Sequence, residues 1–78
     1  MAKDINFEIK KSCGVIRKMD NSDWTKELNI VSWNEKTPKY DIREWDGTHT
    51  RMSRGVTFTK DELENLFRIL KSIFDNED

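Results

Sequence analysis

The residues best suited to chemistry lie in the short stretch that follows the only proline, where cations and aromatic side chains are interleaved. Side chains of a strand alternate between its two faces, so Lys39, Arg43 and Trp45 would share one face. A cation beside an exposed ring suits a single-stranded nucleic acid, because the cation neutralises phosphate and the ring stacks on a base. The structural alternative is that Trp45 closes the end of a core and that Arg43 pairs with Asp41 or Glu44.

Three tryptophans in so small a chain indicate a surface use for some of them. The candidate nucleic-acid-binding residues are Trp24, Lys26, Asn29, Trp33, Lys39, Arg43, Trp45, Arg51 and Arg54. Stacking contributes ~1–3 kcal/mol per base and needs unpaired bases, so a single strand is favoured over a duplex, with little sequence preference. These residue types do not separate DNA from RNA. The tryptophans could instead form a core, a dimer interface, or a surface that docks another polypeptide.

Catalytic signals are weak, and we expect a protein that is not an enzyme. His49 has no cysteine or second histidine at metal-ligand spacing, so no metal site is predicted. Cys13 and His49 could form a nucleophile and a base, but nothing in the sequence brings them together. The three glycines are scattered, so no phosphate-binding loop and no cofactor are predicted.

Length and composition predict one soluble domain over residues 1–78, with a core of roughly residues 5–74. The net charge is −1, but residues 1–58 carry 11 cations and 9 carboxylates, or +2, whereas residues 59–78 carry 3 and 6, or −3. The single cysteine allows no internal disulfide, and no membrane span or signal-peptide core is evident. We therefore expect a cytoplasmic protein, nucleoid-associated if it is bacterial, with no membrane partner.

Hydrophobic patterning predicts an α+β fold in which a curved, four-stranded antiparallel sheet is followed by one C-terminal helix. The strands are expected near residues 5–16, 24–34, 39–45 and 51–58, with a bulge near Gly14. One helix covers one face of a sheet, so the other face should be uncovered. That face should carry Asn29, Val31, Trp33, Lys39, Arg43 and Trp45.

The helix after Thr59 is the clearest local signal. Thr59 and Glu62 form a capping-box pattern, and apolar residues then recur at helical spacing. The apolar stripe spans about 160°, more than the ~100° needed to pack on one sheet. The surplus predicts a homodimer in which a second copy covers Leu66, Ile69, Leu70, Ile73 and Phe74. The alternative is that one curved sheet covers the whole stripe.

Several short motifs together resemble a known family. Asp41–Trp45 and Arg51–Phe58, followed by an amphipathic helix, resemble the single-stranded-DNA-binding domain of the eukaryotic transcriptional coactivator positive cofactor four. Trp24–Asn29, Val31–Asn34 and Pro38–Arg43 are similar to its short bacterial relatives of the YdbC type. The resemblance covers nearly the whole chain.

The resemblance implies a curved four-stranded sheet with a C-terminal helix, a homodimer formed largely through the helices, and single-stranded DNA held along the sheet. By position, Arg43, Arg51 and Arg54 match the family's basic strand residues, and Trp45 matches its stacking aromatic by type. The resemblance also implies a role in transcription, with the transcription machinery as a further partner. Replication and repair remain open as alternatives.

Overall fold

The structure, a computed structural model, describes residues 6–76. It contains the strands β1 (Phe7–Lys18), β2 (Thr25–Trp33), β3 (Lys39–Trp45) and β4 (Val56–Phe58) and the helix α1 (Lys60–Asp75). The strands form one antiparallel sheet in the order β1-β2-β3-β4. The predicted fold class is confirmed. Ile5, where the first strand was expected to begin, lies outside the described residues, and the single domain over residues 1–78 stays a prediction.

β1 extends two residues further along the chain and is less regular than its sequence pattern predicts. Its 12 residues accompany the 9 of β2. The register of their pairing shifts three times, between Ile9 and Lys11, between Ser12 and Gly14, and between Val15 and Arg17. One such shift was expected near Gly14, and the other two were not. Because an extra residue bends a strand and increases its twist, β1 curls along the edge of the sheet.

β4 begins later than predicted. A strand was expected from about Arg51, but residues 46–55 contain no strand and only Val56–Phe58 pair with β3. Within this loop Met52 makes one isolated bridge to the end of β3. The expectation was wrong because the carboxylate of Asp46 binds loop amides, which hold the chain in a turn.

The register divides the side chains of β2 and β3 between two faces. Odd-numbered residues pair with odd-numbered ones across the strands, and even-numbered with even-numbered. We call the odd-numbered side the aromatic face; its members in β2 and β3 are Thr25, Glu27, Asn29, Val31, Trp33, Lys39, Asp41, Arg43 and Trp45. The even-numbered side is the helix face, where Leu28 and Ile42 line a cleft with α1.

The sheet curves strongly toward the aromatic face. Phe7 pairs with Trp33 at one end of β2, yet its ring centroid lies 5.2 Å from that of Trp45, which pairs with the opposite end. In a flat sheet these ends would be about 26 Å apart, beyond the reach of two aromatic side chains. The curvature completely buries Val31, Trp45, Asn29 and Asp41. The expectation of an uncovered face was therefore wrong, because the sheet closes much of this face on itself.

α1 packs on the helix face with one side only. The predicted capping box is confirmed, since the Glu62 amide donates to Thr59 Oγ1 at 3.2 Å and the Thr59 amide donates to Glu62 Oε1 at 2.8 Å. The side chains of Phe67, Ile69, Leu70, Ile73 and Phe74 are 41 to 64% exposed. The sheet therefore does not cover the whole stripe, as the alternative to a dimer required. Within residues 6–76 no helix is long and apolar enough to cross a membrane.

Candidate nucleic-acid interface

A bidentate ion pair holds Arg43 at the centre of the aromatic face. Arg43 Nε and Nη2 each donate to one carboxylate oxygen of Asp41 at 2.7 Å. Asp41 is fully buried, and the Arg43 side chain is 13% exposed. Bidentate charge-assisted bonds are strong, and removing one partner of a buried pair costs about 3–5 kcal/mol. Arg43 therefore pairs with Asp41 and not with Glu44, whose side chain belongs to the helix face.

Three further neighbours fix the guanidinium of Arg43. Its Cζ lies 4.4 Å from the ring centroid of Trp33, a cation–π distance, and its Nη1 donates to Met52 Sδ at 3.4 Å. The backbone of Gly55 passes beside the same side chain. A Cβ at Gly55 would lie 2.4 Å from Arg43 Cβ and 2.4 Å from the carbonyl oxygen of Ile42. Only glycine fits at this position without a shift of the sheet.

Phe7, Trp33, Trp45 and His49 form one aromatic cluster. The ring centroid of Phe7 lies 5.7 Å from that of Trp33, and the two indoles are 6.5 Å apart with planes 15° from parallel. The His49 imidazole lies 5.7 Å from Trp45. Trp45 has no exposed surface and supports the cluster from within, so in this conformation it offers no face to a base. Phe7 and Trp33 are half-buried and keep accessible surface.

A second buried carboxylate, Glu27, anchors the same face. It accepts hydrogen bonds from the Thr25 hydroxyl and from Asn29 Nδ2, and His49 Nε2 lies 2.9 and 3.0 Å from its two oxygens. Burial opposes ionisation, but the bonds from Thr25, Asn29 and His49 outweigh it and hold the pKa of Glu27 below its usual value. Glu27 is therefore ionised at neutral pH and ties His49 to the sheet.

The loop between β3 and β4 is built around the carboxylate of Asp46. Oδ1 accepts from the amides of Thr50 and Arg51 at 2.9 and 3.0 Å, and Oδ2 accepts from the Thr48 hydroxyl at 2.9 Å. The Arg51 amide, followed by the other donors, lowers the pKa of Asp46. His49 has a φ of 59°, which is uncommon for a residue other than glycine. The loop thus places the imidazole against the sheet.

The structure brings five of the nine candidate residues together. They share the aromatic face and are Asn29, Trp33, Lys39, Arg43 and Trp45. Lys26 lies on the helix face opposite Glu44. Trp24 precedes β2 and makes no ring contact with another described aromatic side chain. Arg51 and Arg54 lie in the loop before β4.

The available cations lie at the start of β3 and in the loop between β3 and β4. Lys39, Arg51 and Arg54 are exposed, and none forms an ion pair with another residue of the described chain. Arg43, by contrast, is neutralised by Asp41. Lys39, Arg51 and Arg54 are therefore more favourable partners for phosphate than Arg43.

Sequence reasoning did not select Phe7, Glu27 or His49. Phe7 carried a usable signal, because alternation in the first strand and pairing with the second would place it beside Trp33. Glu27 carried a weaker signal. It lies opposite Arg43 in the register of β2 and β3, and opposite charges at such positions stabilise a pair of strands. His49 carried no signal, because the conformation of a loop brings it to the sheet.

Three buried polar atoms of the aromatic face have no hydrogen-bond partner within residues 6–76. They are Asn29 Oδ1, Trp33 Nε1 and Trp45 Nε1. Buried polar groups are normally paired. Asn29 and Trp45 are fully buried, so a ligand atom does not reach their unpaired atoms in this conformation.

The fold and this face define a class of small proteins in which a curved sheet carries aromatic and cationic side chains, a combination suited to unpaired bases. The chain belongs to the family described as Transcriptional Coactivator p15 (PC4), whose model matches residues 21–69, from the turn before β2 into α1. An uncharacterized protein of Treponema pallidum (strain Nichols) is 36% identical over 70 residues, which cover 90% of this chain and 81% of that protein. The family is one of transcription-related proteins that bind single-stranded DNA, and the resemblance seen in the motifs is confirmed.

Proposed function

We propose that this protein binds single-stranded DNA, with little sequence preference and without catalysis, in transcription, replication or repair. The observation that carries the proposal is the half-exposed pair of Phe7 and Trp33, with Arg43 stacked on Trp33, in a member of this family. Bases stack on such rings with ~1–3 kcal/mol each, and every base has a face to offer, so sequence preference is slight.

The phosphates of the bound strand are assigned to Lys39, Arg51 and Arg54. These residues are exposed, and none forms an ion pair with another residue of the described chain. Binding should therefore weaken as salt rises. Asn29 and Trp45 act in the proposal by supporting the face from within. Trp24 and Lys26 lie away from it and are the candidates that its geometry supports least.

We also propose that the protein works as a homodimer through α1. The exposed helix side chains form an apolar patch of the kind that soluble proteins normally cover. The proposed contact residues are Leu66, Ile69, Leu70, Ile73 and Phe74. Light scattering should give twice the mass of one chain.

The first experiment is a titration of labelled oligo-dT of about 20 bases, long enough for several stacked bases, followed by fluorescence anisotropy. A matched duplex and an RNA of the same length serve as competitors. Salt-sensitive binding that the duplex competes poorly supports the proposal, and the RNA competitor decides whether RNA is also a ligand. Trp33→Ala should weaken binding about 10-fold, the value of one stacked base.

Trp24→Ala is the matched control, since it removes an indole that lies outside the cluster. Equal losses in the two variants would contradict the assignment of the face. No binding by the wild-type protein at low salt would contradict the function itself.

A second candidate function is the docking of another polypeptide. It is favoured by Val15 and Ile16 of β1, which are 60 and 55% exposed; Ile16 lines a cleft with the apolar side of α1. High salt separates the two functions, because nucleic-acid binding should collapse whereas an apolar protein contact should persist.

The proposal places the protein in the cytoplasm, on the nucleoid if it is bacterial, where its exposed Cys13 stays reduced. The transcription machinery is the partner that the family relationship suggests. No cofactor or metal is part of the proposed activity.

A further inference from the structure

We infer that Arg43 serves nucleic-acid binding as a positioning residue for Trp33, not as a phosphate ligand, and that Asp41 holds it in that role. The inference rests on the proposed binding of a single strand. It assigns Asp41 a part in binding and changes the part of Arg43, whose charge would otherwise be expected on a phosphate.

Three of the five N–H groups of Arg43 are already in use, and its side chain is only 13% exposed. Nε and Nη2 bind the Asp41 carboxylate, and Nη1 binds Met52 Sδ. A guanidinium that turned toward a phosphate would leave the fully buried carboxylate of Asp41 without its partner. That loss of about 3–5 kcal/mol exceeds the about 1.5–3 kcal/mol that a hydrogen bond to a charged phosphate would contribute. Arg43 should therefore stay on Asp41 when a strand binds.

The position of Arg43 shows what it contributes instead. Its guanidinium lies over one side of the Trp33 ring, and the rings of Phe7 and Trp45 lie within 5.7 and 6.5 Å of the same indole. Trp33 is thereby held between neighbours before any ligand arrives. A side chain that is fixed in advance loses less conformational entropy on binding, so it binds a base more tightly.

The charge balance of the face follows from this assignment. If Arg43 stays neutralised by Asp41, counterion release on binding must come from other, exposed cations, and we assign it to Lys39, Arg51 and Arg54. For single strands each phosphate contact contributes about 0.7 to the slope of log K against log salt. The slope thus reports separately on each cation, whatever the overall affinity is.

The test compares salt slopes of wild type, Arg43→Gln, Arg43→Lys and Arg51→Gln with oligo-dT. Arg43→Gln should weaken binding about 10-fold at every salt concentration and leave the slope unchanged, because a stacking site is lost but no phosphate contact. Arg43→Lys should not rescue it, since lysine keeps the charge but lacks the planar fork. Arg51→Gln should lower the slope by about 0.7.

The opposite pattern overturns the inference. A slope that falls by about 0.7 in Arg43→Gln and is restored in Arg43→Lys would make Arg43 a phosphate ligand. So would tighter binding with a steeper slope in Asp41→Asn, which would show that Asp41 competes with phosphate for Arg43. If the wild-type protein binds no oligonucleotide, the proposed function is wrong and this inference is wrong with it. That result differs from one in which the wild-type protein binds and only the salt slopes contradict the inference.

Variants of a buried pair can unfold, so a second measurement uses the wild-type protein. The Nε–H signal of Arg43 is followed by NMR during titration with oligo-dT and with an abasic oligonucleotide of equal length. The abasic strand should leave the signal unchanged, and oligo-dT should shift it through the ring current of a base near Trp33. A shift with the abasic strand as large as with oligo-dT would overturn the inference.

Discussion

The two faces of the sheet reverse the usual relation between polarity and burial. The aromatic face carries two carboxylates, an arginine and an asparagine, yet Asp41 and Asn29 are fully buried. The helix face and α1 carry the apolar side chains, yet Phe67 and Phe74 are more than 60% exposed. Neither face can be understood from the polarity of its residues alone.

The two faces differ in whether a single chain supplies partners for their side chains. On the aromatic face every carboxylate has donors on the same sheet, so curvature can bury it without leaving a charge unpaired. On the helix face the apolar groups need only apolar area, and one chain of 78 residues does not supply enough. The carboxylates of the aromatic face are paired within a single chain, whereas the exposed apolar side chains of α1 are the basis of the proposed dimer.

The largest expected effect concerns the helix face. Ile69→Glu should turn the proposed dimer into a monomer, because each copy loses about 1.5–3 kcal/mol of side-chain burial and two-fold symmetry doubles the loss to about 3–6 kcal/mol. Light scattering over a range of concentrations measures it. Arg68→Glu changes the neighbouring exposed position and should leave the mass unchanged. A wild-type protein that is monomeric throughout would break the contrast between the faces.

The next largest effect concerns the buried ion pair of the aromatic face. Asp41→Ala should lower the free energy of unfolding by about 3–5 kcal/mol, because it leaves Arg43 without its partner. Urea denaturation gives the value. Glu8→Ala removes the partner of Lys10 in an exposed ion pair of 3.0 Å and should cost at most about 1 kcal/mol. Similar losses of unfolding free energy in the two variants would mean that burial of the Asp41–Arg43 pair does not make it more important for stability than an exposed pair.

A pair of glycine substitutions tests how closely the aromatic face is packed. Gly55→Ala should cost about 1–3 kcal/mol, because the new Cβ overlaps the backbone of Ile42 and the side chain of Arg43. Gly14→Ala is the control, since a Cβ there meets nothing within 4 Å. Thermal unfolding compares the two. Equal shifts of the unfolding temperature in the two variants would mean that the gap beside Gly55 can widen without loss of stability.

The smallest expected effect concerns the pH dependence of Glu27. Its pKa in the folded protein lies below the ordinary 4.5, so its ionised form stabilises the fold above that pH, and the contribution is lost as pH falls through the lowered pKa. Glu27→Gln should therefore be less stable than wild type above pH 4.5 by under about 1.5 kcal/mol, with the gap closing in more acidic solution. Urea titrations at several pH values measure the gap. A difference in stability that widens in acid would mean that folding raises the pKa of Glu27 instead of lowering it.

The sequence was sufficient for the order of the elements and for a curved sheet, and insufficient for the extent to which the aromatic face closes on itself. Alternation and turn residues located β2 and β3, and the Thr59–Glu62 pattern located the start of α1. Alternation also decides that Arg43 shares a face with Asp41 and not with Glu44, although both were left open. The burial of Trp45 matches the structural alternative, but the sequence could not decide for it, because burial depends on bulges in β1 and on contacts between the two ends of β2.

The bulged strand β1 has a consequence for how copies of the chain can assemble. A straight outer strand would let another chain add itself along the edge, and then another, without limit. Three register shifts in one strand, together with exposed Lys11, Arg17 and Lys18, remove the regular row of amides and carbonyls that such growth requires. The opposite edge, β4, has only three residues. Open-ended stacking of sheets into fibres is thereby discouraged, and association through α1 can end with a closed pair.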